Sequence, residues 1–383
     1  MTTRKKVGVA ALVLVALLVG CLGVVGVLRS RTLTLPQPTG QHPVGRTITT
    51  VPGGSAAADE ALRAAWIWYP AEPGSAPLAE YVPDGWHGSL PPTVGLGWLL
   101  QDVDAVRPWA RQDARPAAGK HPLVVMAPGF QNAPWMYSSW GEELASRGYV
   151  VALLVPVSTP ARVVDGQRRS TPDAAEPPKP AEIDELIRQQ AADMNALASA
   201  IGGEHYRATS SSTARIGSPL AGHVDLTRTV FAGHSLGGSA AVLACAGRTD
   251  CAGSINFDGP QPVLPPGLVA KPGLLIGSDR SCAAVSPCSP EGQSEEHVRW
   301  VQERRTTTPP TWTATITSAG HNGFGDTAFY FAAPPVSGLT GTGTIAPERM
   351  HAAVTAVFGA AIPALRDGKS PRLDLPDLTT TMR

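Results

Sequence analysis

The N-terminal thirty residues are patterned unlike the rest of the chain. Arg4-Lys5-Lys6 precedes an uncharged run from Val7 to Leu28, closed by Arg29 and Arg31. These 22 residues are long enough to cross a bilayer as a helix. Such a run, charged only at its ends, does not read as soluble core. Residues 1–31 therefore read as a signal anchor or signal peptide, with the basic side inside. Leu18-Val19-Gly20-Cys21 also permits a lipoprotein signal, although Leu22 to Leu28 stays apolar where a polar tether is expected. All three readings export the remainder of the chain.

Beyond this run, short apolar stretches alternate with stretches of helical spacing. Strands are expected at 64–69, 123–127, 149–155, 229–233, 253–257, 273–277 and 312–317. Helices are expected near 137–147, 181–201, 239–244, 293–305 and 347–366. The strand at 64–69 stops at Pro70, and the helix near 137–147 stops at Gly148. Continuous runs such as Leu123-Val124-Val125-Met126-Ala127 belong to strands buried on both faces. The alternation predicts an α/β fold, a mostly parallel central sheet with helices on both faces. Residues 32–370 read as one catalytic domain and 371–383 as a C-terminal tail. Two stretches interrupt the pattern. Residues 72–120 carry Trp86, Trp98 and Trp109 and are expected to be an insertion with its own helices. Residues 158–180 are Pro-rich and expected to be a mobile surface excursion.

Composition narrows the class. Lys plus Arg and Asp plus Glu are equal at 31 each among 383 residues, with no basic run, which argues against nucleic acid as a partner. Setting Cys21 aside, four cysteines remain. In an exported chain they suggest two disulfides, and short bracketed loops favour Cys245–Cys251 and Cys282–Cys288. No cysteine–histidine spacing suits zinc, and neither a metal nor another cofactor is expected.

The chemistry centres on Gly233-His234-Ser235-Leu236-Gly237, set between an apolar strand and a helix. G-x-S-x-G in that context is a nucleophile elbow, which presents a serine hydroxyl at the end of a sheet. A serine needs a base, and the base needs an acid to hold its tautomer. Only His297, His321 and His351 follow Ser235. His297 lies on a charged helical stretch and His351 within the last helix, so His321, in a loop after the strand at 312–317, is the expected base. Asp258 and Asp279 both end strands between the serine and the histidine, and sequence order alone does not separate them. Two backbone N–H groups must hold the oxyanion. The expected donors are Leu236, next to the nucleophile, and Phe130, because Pro128 has no N–H.

Several segments, in order, resemble the platelet-activating factor acetylhydrolases of the plasma, isoform II type. They are Pro38–Gly45, Ile67–Pro70, His121–Gly129, Leu144–Tyr149, Gly233–Gly238, Asp258, Gly320-His321-Asn322 and Phe324. The resemblance implies an α/β-hydrolase that cleaves carboxylic esters, typically short or oxidised acyl chains on phospholipids, without calcium. It also implies Asp258 as the acid, with Asp279 as the alternative. Pro128 departs from the family, which usually has histidine there. The expected partners are a small-molecule or lipid ester and, through the N-terminal segment, a membrane. A polyester- or cutin-degrading esterase is the runner-up, and a non-catalytic binding protein of the same fold is the reading from another class.

Overall fold

In the computed structural model, the described residues are 3–54, 61–88, 97–172, 174, 178–202, 220–279, 281–284, 288, 294–374 and 376–382. Ten strands form one sheet: β1 (Val44–Pro52), β2 (Leu62–Pro70), β3 (Arg111–Gln112), β4 (His121–Ala127), β5 (Val150–Val155), β6 (Val224–His234), β7 (Cys251–Phe257), β8 (Gly273–Ser278), β9 (Trp312–Ile316) and β10 (Leu378–Met382). Their spatial order is β10-β9-β8-β7-β6-β4-β5-β2-β1-β3. The run from β5 to β9 is parallel, whereas β2 joins β5, β1 joins β2 and β10 joins β9 in antiparallel fashion. Among the described residues the longer helices are α1 (Thr3–Arg29), α2 (Ser138–Ser146), α3 (Pro180–Gly202), α4 (Leu236–Ala246), α5 (Glu295–Thr307) and α6 (Pro347–Asp367), with one further single turn at Pro334–Ser337.

Strand alternation divides the core into two layers. Val124, Met126, Trp66 and Trp68 face α2 and α6 through Trp140, Leu144, Val357 and Phe358. Leu123, Val125, Ala65 and Ile67 face α3 and α4 through Met194, Leu197, Ala240 and Ala244. Each fully buried Leu, Ile or Val contributes about 1.5–3 kcal/mol. The layers cover β6, β7 and β8 from both sides and so fix where their carboxyl ends lie.

Three expectations change. The insertion at 72–120 contains two 3₁₀ turns (Gly97–Leu99 and Val103–Ala105) and short strands, not helices, among its described residues. Its order comes from tertiary contacts: Trp86 packs edge-on to Trp66, with ring centroids 5.2 Å apart. Part of the supposed mobile excursion is a hairpin, Ala161–Val164 paired with Gln167–Ser170, whose Ala161, Arg162 and Val164 are buried. The tail is not free either, because β10 completes the sheet edge on β9. The portions of these segments at 89–96, 173, 175–177, 375 and 383 lie outside the described residues. Both cysteine pairs are bonded as expected, with Cα–Cα distances of 5.3 Å (Cys245–Cys251) and 5.1 Å (Cys282–Cys288).

Candidate active site

Between β6 and α4 the chain turns so sharply that Ser235 adopts φ 55° and ψ −124°. A non-glycine residue in the left-handed region is strained, and surrounding structure must hold it there. Here the Ser235 amide donates to the Phe257 carbonyl at 2.7 Å, and the Ser235 carbonyl accepts from the amides of Gly238 and Ser239. The flanking glycines are required by close approach. A Cβ on Gly237 would lie 2.2 Å from the Ala127 carbonyl oxygen, and one on Gly233 would lie 2.4 Å from the Gly237 carbonyl.

Three side chains meet at the carboxyl end of the sheet. The Ser235 hydroxyl lies 3.0 Å from His321 Nε2, and His321 Nδ1 lies 2.7 Å from Asp258 Oδ2. The other Asp258 oxygen accepts from the Ser278 amide at 2.8 Å. Asp258 is buried, while the His321 ring is about half exposed and open to the cleft. Burial is the largest influence on the Asp258 carboxyl and would raise it. The hydrogen bond and charge of His321, the Ser281 hydroxyl and the Ser278 amide outweigh it and hold the group below the ordinary carboxylate range. An ionised Asp258 accepts from Nδ1–H, which leaves Nε2 as the acceptor facing Ser235.

Asp279 takes a different position. Its carboxylate accepts from the Ser318 amide at 2.8 Å, bracing the turn before His321. His297 lies on the wall of the cleft, its ring 5.4 Å from that of Trp300, while His351 sits on α6 against Phe329. Phe130 and Leu236 both line the cleft with Ser235. As the first residue of α4, Leu236 has an N–H with no intrahelical acceptor. The cleft encloses about 830 Å³, and Ile183, Cys282 and the Ser337–Thr344 strap also contribute to its walls.

One set of residues was missed from sequence. His234 is buried, and its Nε2 lies 2.9 Å from the backbone carbonyl of His321. A carbonyl only accepts, so Nε2 carries the proton and Nδ1 accepts from the Tyr137 hydroxyl at 2.8 Å. The Tyr137 oxygen in turn accepts from the Gly129 amide (3.2 Å) and Asn132 Nδ2 (2.8 Å). Burial, and next the charge of His321, push the His234 imidazole down to about 3, so it stays neutral. This chain ties the Gly129 loop, the elbow and the His321 loop together. The signal available in the sequence was only the identity of the residue between Gly233 and Ser235. A second tether is Asp326, whose buried carboxylate accepts from the Ser139 amide (3.2 Å) and hydroxyl at the start of α2 and from Tyr81 (2.9 Å).

Among the described residues, no cluster of His, Cys, Asp and Glu suits a metal ion. A family model described as platelet-activating factor acetylhydrolase, isoform II, matches residues 28–156. Among solved structures, the chain is similar to a ferulic acid esterase from Streptomyces cinnamoneus, with a TM-score of 0.66 and 26% sequence identity; the match covers 91% of this chain and 99% of that one. No curated protein matches.

Proposed function

We propose that this chain, an α/β-hydrolase of the platelet-activating factor acetylhydrolase type and a carboxylic ester hydrolase, is an exported serine esterase working through Ser235, His321 and Asp258. The observation that carries the reading is the hydrogen-bonded line from the Ser235 hydroxyl through His321 to Asp258, built on a strained elbow. His321 Nε2 takes the hydroxyl proton as Ser235 Oγ attacks the ester carbonyl. The amides of Leu236 and Phe130 receive the developing oxyanion. His321 then returns the proton to the departing alkoxide, leaving an acyl group on Ser235. Water, deprotonated by the same imidazole, releases the acid. Asp258 holds the ring orientation and stabilises the imidazolium. Export is supported by the N-terminal apolar helix and the two disulfides. Among the three readings of that helix, we favour the retained anchor.

The favoured substrate is a lipid or small-molecule ester with a short acyl chain. A second reading, an aromatic acid ester, draws on the ferulic acid esterase and on a cleft wall that includes Phe130, His297 and Trp300. The test is labelling with an alkyl fluorophosphonate, followed by a series of p-nitrophenyl acyl esters and methyl ferulate. Wild type is expected to label at Ser235, and Ser235→Ala to lose both labelling and turnover. Unchanged labelling of Ser235→Ala would place the nucleophile elsewhere. A preference for methyl ferulate over short acyl esters would select the second reading.

A further inference from the structure

The last turn of α1 is built into the catalytic domain. Arg29 donates from Nε to the Leu100 carbonyl (3.1 Å) and pairs with Asp102 at 3.7 Å. Its own carbonyl accepts from the Asp102 amide and the Gln101 side chain, both at 2.9 Å. Val25 packs against the buried cluster of Leu100, Ala333 and Val336. Removing α1 would strip these partners from residues 100–102. That segment is itself zipped to the continuation of the His321 loop: the Gln101 amide donates to Phe331 (2.7 Å), and the Ala333 amide to Leu99 (2.9 Å).

The same contacts fix a height relative to a membrane. The apolar span Val9–Arg29 has 21 residues, about 30 Å at 1.5 Å per residue, the thickness of a hydrocarbon core. Trp98 reaches the helix at Gly26, lying 4.0 Å from where a Cβ there would sit. Gly26 precedes Arg29 by three residues, about 4.5 Å along the axis. Trp98 is 45% exposed at that level. A tryptophan at the end of a spanning helix lies at the headgroup boundary, where its amphipathic ring is most stable. Next to it in sequence, Leu99 and Leu100 lead inward. Leu100, Phe331, Met136, Phe324 and His234 line a cavity of about 290 Å³. This recess lies between the docked helix end and the elbow.

We propose that the catalytic domain docks flush on the bilayer that α1 spans, with Trp98 as an interfacial second contact, so that the enzyme works on esters presented at that surface. The proposal rests on the reading of α1 as a retained anchor and of the site as an esterase. The partner is the headgroup and upper acyl region of a phospholipid bilayer.

The test uses the full chain in phosphatidylcholine–phosphatidylglycerol vesicles. Cys21→Ser removes the free cysteine found among the described residues, and Trp98→Cys in that background carries an environment-sensitive fluorophore. Quenching by lipids bearing a nitroxide near the headgroup, without quenching by aqueous iodide, is the expected result. Quenching by iodide alone, in protein that resists alkaline carbonate extraction, would overturn the docking and leave the anchor standing. Release by carbonate, together with a mature N-terminus beyond Arg29, would overturn the anchor and the docking with it. Independently, Trp98→Ser should slow hydrolysis of a vesicle-borne ester by about fivefold to tenfold, from loss of one buried aromatic contact. Hydrolysis of soluble p-nitrophenyl acetate should be unchanged. Equal rates of the two proteins on the vesicle ester would overturn the proposal. Absence of wild-type turnover on the soluble ester would instead overturn the esterase reading.

Discussion

Replacing Asp258 with asparagine changes one atom type, and the hydrogen bonds around it dictate the result. One carboxylate oxygen accepts from the Ser278 amide at 2.8 Å and the other faces His321 Nδ1 at 2.7 Å. A backbone amide only donates, so the asparagine oxygen is drawn to Ser278. Its NH₂ group then faces Nδ1, which must become an acceptor. The ring proton moves to Nε2 and points at the Ser235 hydroxyl, leaving no base. The flipped amide keeps the productive tautomer but sets NH₂ against the Ser278 N–H in a buried site, at a cost of about 1–3 kcal/mol. Either way the negative charge that stabilises the imidazolium is gone, worth a further 2–3 kcal/mol or so. Together these losses come to about 3–6 kcal/mol, or roughly 10²–10⁴ in turnover at 1.36 kcal/mol per decade. Among the described residues, Asp279 accepts from the Ser318 amide in a more exposed setting, and an asparagine oxygen serves there equally well. Asp279→Asn is therefore expected to lose less than about tenfold. The assay is kcat for p-nitrophenyl acetate at pH 8, with thermal melting to show that both variants fold. If Asp258→Asn keeps turnover within tenfold of wild type, or Asp279→Asn is the worse variant, the assignment of the acid is refuted.

Three further outcomes are expected. Tyr137→Phe removes the donor to His234 and unpairs the Gly129 amide, so kcat should fall about tenfold to a hundredfold through misplacement of His321, with KM little changed; unchanged kcat would show that the His234 chain positions nothing. Burial raises the Asp326 carboxyl to about 7, far above its ordinary 3.8, so the folded state holds a proton that the unfolded state has released. Its contribution is fully present below about pH 4 and lost as pH rises through 7, and Asp326→Asn should flatten the fall in melting temperature between pH 4 and 8; parallel curves for the two proteins would contradict this. Mass mapping of unreduced peptides should return Cys245–Cys251 and Cys282–Cys288, each worth about 2 kcal/mol for so short a loop, and any link between the two pairs would refute the local pairing.

Features with a local cause could be read from the residues alone. Buried parallel strands announce themselves as apolar runs because both of their faces are covered, which is why 123–127, 149–155, 253–257 and 273–277 lie within a few residues of the observed strands. The elbow was legible because its glycines answer to sterics within the turn and at the end of the adjoining strand. The pairing of cysteines six residues apart is likewise local.

What remained depended on contacts between distant segments. The hairpin at 161–170 and the edge strand at 378–382 carry weak apolar patterns, and pairing with another strand, not propensity, brings them into order. The segment 72–120 has no periodicity because Trp86 and its neighbours are held by side chains from other strands. Asp258 and Asp279 end adjacent strands and are equivalent by order. Only the register of β7 against β8, and the path of the loop carrying His321, decide which carboxylate faces the imidazole. The roles of His234 and of the last turn of α1 were hidden for the same reason: a side chain's type is written in the sequence, but its partners are set by how the sheet and its loops close around it.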